Sequence, residues 1–203
     1  MARIIGVNSL HLAEVKTDTK TSSTWGTPTP VPSVMSVSIS DQTEQVTFYS
    51  DDTVEQVLPS FASKEVTIEL GYLTPEIEAM ISGNIYKDGV YIQKANAEAK
   101  EFALLFKAPL SKGGAERYVC LYKGVLAKND SEYQGKQDSI ESSNVTLTGT
   151  FMPLTSNNKV EIKLDSNDTH LNSTTKALIT NWFTTVPDFN DEELRAAEER
   201  TKK

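Results

Sequence analysis

One stretch of this sequence has the spacing of a metal-binding loop. From Asp165 to His170, side chains that carry oxygen stand at alternate positions, as they do at the start of a calcium-binding loop. Such a loop needs glycine at its sixth position and a bidentate carboxylate at its twelfth, where this chain has His170 and Lys176. The pattern therefore favours a simple Asx-turn loop over a metal site.

The residue types that most often act as nucleophiles and bases are few. The single cysteine, Cys120, lies in the apolar alternation of residues 118–122, which indicates a buried structural thiol that has no partner for an internal disulfide. His11 lies in an alternating stretch and His170 in a polar one, so we expect a structural or exposed role for both. The sequence has no Gly-x-Ser-x-Gly elbow, Cys-x-x-Cys pair or His-Glu-x-x-His helix. We therefore expect no catalytic activity and no bound metal or cofactor.

Composition indicates one folded domain that does not grip nucleic acid. The chain has 203 residues, of which 38% are hydrophobic and 24% charged. Its formal net charge of -8 argues against broad binding to a phosphate backbone. The N-terminus lacks a long apolar signal region and no run of eighteen apolar residues occurs, so we expect neither export nor membrane spanning.

A period of two dominates the chain and predicts strands with one wet face. The clearest polar faces carry short side chains, namely Ser36, Ser38 and Ser40 in one strand and Asn144, Thr146, Thr148 and Thr150 in another. Residues 65–70 and 159–164 alternate in the same way, whereas residues 102–106 are apolar on both faces and predict a strand covered on both sides. With the N-terminal stretch 4–15, eight or nine strands are predicted, a number typical of a sandwich or barrel.

Local signals place the turns and helices between these strands. Hairpins are predicted at residues 111–114 and at Asp88-Gly89, and a capped helix is predicted from Thr74 and Pro75 to Gly83. A weaker helix is predicted over residues 173–183. Residues 17–32, rich in threonine, serine and proline, predict a loop without regular elements.

The segment 43–59 has more apolar and aromatic residues than a solvated loop requires. We expect a long hairpin or loop that reaches a neighbouring molecule; the alternative is that Val46 and Phe48 serve the local core. The candidate contact residues are Val46, Phe48, Tyr49, Asp51, Asp52 and Val54.

Four segments carry a family resemblance. In order, residues 2–7 (ARIIGV), 118–124 (YVCLYKG), 146–151 (TLTGTF) and 181–183 (NWF) resemble the major tail proteins of siphophages of the phi13-like group. The resemblance spans most of residues 1–187, and the order and spacing of the segments carry it. It implies a mainly β (α+β) fold of the phage tail-tube type, a β-sandwich or barrel with one or two flanking helices and a long loop. Residues 1–187 would form the tail tube domain and residues 188–203 a charged C-terminal tail.

The resemblance also implies a structural role in a virion. Family members assemble as hexameric rings that stack into the tail tube, the conduit through which the genome leaves. The implied partners are further copies of the chain, the tape measure protein, and the tail terminator and baseplate-side proteins. The chain would be made in the bacterial host cytoplasm, would let DNA pass without specific binding, and would have no membrane partner.

The predicted strands suggest how such a ring would form. Joining the sheet edges of neighbouring copies satisfies their unpaired backbone groups, and one sheet face must then line the channel. The polar faces described above are the candidate lumen face. Two alternatives remain open: a soluble β-sandwich binding module of the adhesin or carbohydrate-binding kind, and a glycosidase, for which no specific carboxylate pair stands out among the 28 acidic residues.

Overall fold

Antiparallel strands make up most of the fold, as the alternating pattern predicts. The structure, a computed structural model, describes residues 2–50, 53–129 and 144–189, with the backbone alone over 44–50 and 53–60. The elements are β1 (Asn8–Asp18), β2 (Ser23–Trp25), β3 (Thr29–Pro30), β4 (Val34–Ser50), β5 (Thr53–Leu70), α1 (Pro75–Ser82), β6 (Ile85–Lys87), β7 (Val90–Ile92), β8 (Glu101–Pro109), β9 (Glu116–Lys128), β10 (Val145–Phe151), β11 (Glu161–Asp165) and α2 (Ser173–Asn181).

Nine of the strands in the described ranges form one sheet. Its order is β2-β1-β8-β9-β10-β5-β4, while β3 pairs with β1, β11 pairs with β9, and β6 and β7 form a separate hairpin. The long strand β9 holds two strands along one edge, because β11 pairs with residues 117–121 and β10 with residues 124–128. The sheet therefore divides at β9.

One face of this sheet carries the main core. Side chains from strands near both ends of the sheet, such as Leu12 in β1 and Ile68 in β5, belong to one buried cluster, so the sheet curves around it. Helix α1 contributes Ile77 and Ile81 to the same cluster. Burying a side chain of this kind contributes about 1.5 to 3 kcal/mol relative to leaving it exposed.

The middle strands are buried on both faces, as predicted for residues 102–106. Phe102 and Leu104 point into the main core, whereas Leu105 and Cys120 belong to a second cluster on the opposite face. Trp182, which follows α2 and is fully buried, completes this second cluster. The prediction of a buried Cys120 is confirmed.

Near the N-terminus, two boundaries predicted from the sequence are wrong. Residues 17–32 were expected to be loop, but they contain β2 and β3, because β1 offers them an edge and Pro30 is tolerated in a strand that pairs on one side only. Strand β1 begins at Asn8, and before it Ile4 makes only an isolated bridge to Leu110.

The local turn and cap signals are confirmed. Thr74 accepts the N–H of Ile77 at 3.4 Å, and Gly83, with φ of 68°, ends α1. The β6–β7 turn has φ of 52° at Asp88 and 83° at Gly89, as a tight primed turn requires. Helix α2 begins at Ser173, as predicted, and ends at Asn181, two residues before the predicted end. Its N-terminus has a capping box between Asn172 and Thr175.

The ends of the chain add little to the described fold. Of the predicted charged tail, Asp188 and Phe189 are described, and residues 190–203 lie outside the described part. Neither helix within the described ranges is long and apolar enough to cross a membrane.

Candidate functional site

Strands β4, β5 and β10 together build a polar face. The strand register places the serines of β4, alternate residues of β5 and the threonines of β10 in three rows across the sheet. The rows are Ser36–Glu69–Thr146, Ser38–Thr67–Thr148 and Ser40–Glu65–Thr150. We call these nine residues the hydroxyl face. Six of the seven predicted lumen residues therefore lie side by side; Asn144 is exposed but precedes β10.

Two glutamates of the hydroxyl face were not predicted as lumen residues. Glu65 and Glu69 were recognisable as the polar side of an alternating strand, but their neighbours depend on a strand order that the sequence does not reveal. Ser36 donates to Glu69 Oε2 at 2.9 Å, and Gln42 donates to Glu65 Oε2 at 3.0 Å. None of the nine residues is basic, so the hydroxyl face is acidic.

Within the described part of the chain, no other element covers this face. On the same side, β8 and β9 lie beneath the second cluster, which Leu154 and Trp182 close. The nine residues of the hydroxyl face are instead exposed or half-buried. Beyond the second cluster, this side of the sheet is therefore a solvent-accessible polar surface made mostly of serine and threonine.

The hydroxyl face runs to an open sheet edge. Strand β4 stands last in the strand order and is 17 residues long, and along its second edge no strand of the described part of the chain pairs with it. Unpaired N–H and C=O groups on a long edge strand are a template for pairing with another chain. The exposed edge of β4 therefore has the backbone groups that pairing with another strand would use.

The far half of the β4–β5 hairpin projects as a two-stranded ribbon. The pairing of β5 with β10 stops at Lys64, whereas its pairing with β4 continues to Ser50 opposite Thr53. We call residues 42–50 and 53–63 the ribbon. Nine residue steps from Asp41 to Ser50 correspond to about 30 Å. The predicted long hairpin is thus present.

Four of the six predicted contact residues, Val46, Phe48, Tyr49 and Val54, lie in this ribbon. By backbone register, Val46 is opposite Leu58 and Tyr49 is opposite Val54, with Phe48 between them. Asp51 and Asp52 lie outside the described residues. That these residues contact a neighbouring molecule stays a prediction.

An ion cluster fixes the base of the ribbon. Lys64, whose side chain is 11% exposed, pairs with Asp41 on β4 and with Glu161 on β11 at 3.1 Å. Burial lowers the pKa of Lys64, but the hydrogen bonds to Asp41 and Glu161 outweigh burial and raise its pKa above the ordinary value. The charged ammonium therefore ties both ribbon strands to the body of the sheet.

The residues with metal-like spacing are used in structural contacts. Arg117 donates to both oxygens of Asp165, at 2.6 and 2.8 Å, and the backbone N–H of His170 donates to Asp168 Oδ1 at 2.9 Å. The predicted Asx turn is confirmed. The parts of the chain that the structure describes contain no group of three or more His, Cys, Asp or Glu side chains that could hold a metal ion.

The remaining candidate nucleophile and base also have structural surroundings. Burial, followed by the charge of Glu161, raises the pKa of the Cys120 thiol well above its ordinary value, which opposes thiolate chemistry. The His11 ring stacks on Phe183 with 4.4 Å between ring centroids, and its Nδ1 lies 2.9 Å from the Ser9 carbonyl oxygen. Both side chains serve the packing of the second cluster.

No protein-family description matches the chain, and no curated protein sequence matches it significantly.

Proposed function

We propose that this chain is the subunit of a self-assembling hollow tube, the tail tube of a siphophage. The observation that carries the proposal is the hydroxyl face, an acidic wet surface that continues to the open edge of β4. The family resemblance of the sequence points to the same assembly. In this proposal six copies form a ring, rings stack, and the genome leaves through the channel.

The open edge provides the mechanism of ring formation. A sheet with an unpaired long strand lowers its free energy when another chain satisfies the free backbone groups, since each hydrogen bond contributes about 1 kcal/mol net. If each copy adds its sheet to the next around a ring, the edges disappear as they do in a closed barrel. The subunit then has no aggregation-prone edge once assembled.

The chemistry of the hydroxyl face suits a channel for DNA. Lysine or arginine along the wall would bind phosphates and hold the genome at every step. The hydroxyl groups of serine and threonine would keep the channel wall hydrated, and the carboxylates of Glu65 and Glu69 would repel phosphate. Six rotated copies of the face would make a channel surface that DNA passes without specific contacts.

The proposal also names partners that follow from the family resemblance. The tape measure protein would occupy the channel during assembly, and terminator and baseplate-side proteins would close the two ends. With these partners, the mature protein would belong to the phage tail and would be made in the host cytoplasm.

Electron microscopy of the concentrated protein, alone and with its baseplate-side partners, tests the assembly. We expect rings or hollow tubes with six-fold symmetry. A chain that stays monomeric under both conditions and binds a carbohydrate would contradict the proposal and favour the binding-module alternative.

Cysteine labelling tests the orientation of the hydroxyl face. The native Cys120 is buried, so a Thr148→Cys variant carries one accessible thiol. A bulky polymer-linked maleimide should label this thiol in the monomer and fail to reach it inside intact tubes, whereas a small maleimide should label both. Equal labelling of monomer and tube by the bulky reagent would show that the face lies outside the channel.

A further inference from the structure

A cavity of about 300 Å³ lies on the side of the sheet opposite the hydroxyl face. It is bounded by α1, the β6–β7 hairpin, the connection that follows this hairpin, and the ends of β9 and β10. Side chains alternate along β10, so Leu147 faces the cavity while Thr146 and Thr148 belong to the hydroxyl face. In the proposed tube, the cavity would therefore lie on the side of the sheet away from the channel.

The floor of the cavity is apolar. Leu126, Leu147 and Ile81 line it, and each of them is a buried member of the main core. Ala97 and Ala99, in the connection between β7 and β8, add small side chains to the lining. Because apolar contact has no direction, the polar groups around this floor must fix the orientation of a ligand.

Asn84 holds the polar wall of the cavity in place. Its side-chain amide donates to Ser82 Oγ at 2.8 Å and to the Tyr91 hydroxyl oxygen at 2.9 Å. Its side-chain oxygen accepts the backbone N–H of Lys94 at 2.9 Å. Gly83 has no room for a β-carbon, because a carbonyl oxygen of the connection after β7 occupies that space. These contacts join α1, the hairpin and the connection, so the cavity is largely pre-formed.

Two groups around the floor have hydrogen-bonding capacity left for a ligand. The Tyr91 hydroxyl accepts from Asn84, so its own hydrogen is available. At the mouth, Lys128 donates to Glu78 Oε1 at 2.9 Å, which leaves two N–H groups of Lys128 and the second oxygen of Glu78. An entirely apolar ligand would take these groups out of water without replacing their hydrogen bonds. The cavity therefore favours a ligand that combines an apolar face with hydroxyl groups.

The ion pair at the mouth also selects the charge of the ligand. Lys128 and Glu78 are 21% and 25% exposed, and they are the only charged side chains among the described residues that line the cavity. A ligand with one charge would compete for one member of the pair and leave the other unpaired in a half-buried site. A neutral ligand leaves the pair intact and uses its remaining hydrogen-bonding groups.

We propose that this cavity binds one neutral pyranose ring, either as a free monosaccharide or as the terminal residue of a glycan. One face of a pyranose presents C–H groups, and its edge carries hydroxyl groups that both donate and accept hydrogen bonds. The C–H face lies on Leu126 and Leu147, and the hydroxyl groups bind Tyr91 and the Lys128–Glu78 pair.

The size of the cavity limits the ligand to a single ring. A volume of about 300 Å³ is at the lower end of the range for small-molecule sites, which leaves no space for a chain of sugars. All of the groups involved belong to one chain. The inference therefore goes beyond the proposed function and does not require assembly.

Saturation-transfer NMR on the monomeric protein tests the cavity with glucose, galactose, mannose and N-acetylglucosamine, and with their methyl glycosides. We expect transfer to at least one of these sugars, strongest at the protons of one ring face. Glucuronate, which adds a carboxylate to the same ring as glucose, should bind more weakly. A methyl glycoside that binds as well as its free sugar would identify the terminal residue of a glycan as the ligand, whereas binding of the free sugar alone would identify a monosaccharide.

Two variants locate the binding in the cavity. Tyr91→Phe removes one hydroxyl group and keeps the ring, so it should weaken binding about fivefold, the effect of one lost hydrogen bond. Tyr72→Phe is the matched control and should leave binding unchanged, because Tyr72 is 57% exposed and does not line the cavity. Ala99→Phe adds a large side chain to the lining and should abolish binding. Ala99 is exposed, so the thermal unfolding of this variant should match that of the unmodified protein.

The outcomes separate this inference from the proposed function. Absence of transfer to every neutral sugar, or binding that neither Tyr91→Phe nor Ala99→Phe weakens, would overturn the inference and leave the tube function intact. Tighter binding of glucuronate than of glucose would contradict the neutral class of ligand. Absence of rings and tubes from the unmodified protein would instead overturn the proposed function, and sugar binding by protein that also forms tubes would satisfy both.

Discussion

At the scale of single residues, Asp18 fastens the connection between β10 and β11 to the end of β1. Its side chain is 4% exposed and accepts hydrogen bonds from Thr155 N–H at 3.0 Å, Ser23 Oγ at 2.8 Å and Lys123 Nζ at 2.8 Å. Burial raises the pKa of Asp18, but these hydrogen bonds outweigh burial and lower its pKa far below the ordinary value. The folded state therefore binds the anion more tightly than the unfolded chain does.

Replacing Asp18 by asparagine should destabilise the fold in a pH-dependent way. The variant removes the nearer anion of Lys123 and leaves Glu101, whose Oε1 lies 3.7 Å from Lys123 Nζ. Because hydrogen bonds to charged groups are lost, we expect the free energy of unfolding to fall by about 2 kcal/mol at neutral pH. Because the pKa of Asp18 is lower in the folded state, its carboxylate stabilises the fold when the pH is above 3.8, the pKa in the unfolded chain. This stabilisation is lost as the pH falls toward the folded-state pKa. Urea unfolding of both proteins at about pH 6 and about pH 3 should therefore show a smaller difference at the lower pH.

The exposed Asp168 provides the control for this measurement. Asp168→Asn alters a carboxylate of the Asx turn that is 51% exposed, so the free energy of unfolding should change little at either pH. A difference between Asp18→Asn and the unmodified protein that stays the same at both pH values would show that the anion is not what holds this connection.

At the scale of elements, an irregularity in β9 decides which side chains enter the main core. Phe102 lies opposite Gly124 and Leu104 opposite Leu121, so three residue steps of β9 face two of β8. The extra residue exchanges the two faces of the strand: Leu121 points into the main core before it, and Leu126 does so after it. This bulge brings the second half of β9 into register with β10.

Gly124 in β9 allows β9 and β10 to approach each other beside the bulge, where Gly124 pairs with Phe151. A β-carbon on Gly124 would lie 2.5 Å from the Phe151 ring, which is itself fully buried. We expect Gly124→Ala to lower the free energy of unfolding by about 2 kcal/mol, because overpacking forces the ring from its position. Phe151→Leu should itself destabilise the fold, but combined with Gly124→Ala it should cost less than the sum of the two single changes.

Gly6 provides the matched control, since nothing lies within 4 Å of the β-carbon that alanine would add there. Gly6→Ala should leave the denaturation midpoint unchanged. Strict additivity of Gly124→Ala and Phe151→Leu would mean that the glycine is not needed for this contact.

Sequence reasoning succeeded for elements that local residues determine. The cap at Thr74 and the αL residue Gly83 define α1 within a few residues, and Asp88-Gly89 defines its hairpin by turn chemistry alone. The doubly apolar run of β8 was recognisable because no polar residue breaks it from Phe102 to Phe106. For the ribbon, composition predicted a long hairpin or loop over residues 43–59, and the structure has the hairpin.

The rest depends on contacts between distant residues. Strands β2 and β3 form in threonine-rich and proline-rich sequence because β1 pairs with them and the Trp25 indole donates to the Tyr122 carbonyl oxygen at 3.0 Å. The two glutamates join the hydroxyl face because β5 lies between β4 and β10, an order that alternation within a strand cannot indicate. The bulge in β9 could not be predicted from the sequence either, because it is defined by the register between β8 and β9.

At the scale of the whole molecule, the negative net charge of the chain opposes the association of its copies. Each copy carries a formal net charge of -8, so a ring of six copies, as proposed, would carry -48. Like charges on neighbouring copies raise the free energy of association, and dissolved salt screens them over a Debye length that falls from about 14 Å at 0.05 M to about 4 Å at 0.5 M. Assembly by this chain should therefore be favoured by salt.

Light scattering against protein concentration should show this dependence. We expect the concentration at which rings and tubes appear to fall as salt rises over that range, because the repulsion between copies weakens while the backbone pairing of the sheet edges does not. An onset concentration that rises with salt would mean that attractive ion pairs between copies, and not sheet edges, hold the assembly together.

The position of the charges sharpens this prediction. Two double variants change the net charge equally, from -8 to -6: Glu65→Gln with Glu69→Gln, and Glu76→Gln with Glu98→Gln. All four glutamates are exposed in the isolated chain. The first pair lies on the hydroxyl face, where six copies would converge on a narrow channel, whereas the second pair lies on α1 and in the connection between β7 and β8. The first double variant should therefore assemble at a lower salt concentration than the second. Equal shifts from the two variants would place the hydroxyl face away from the axis of the ring.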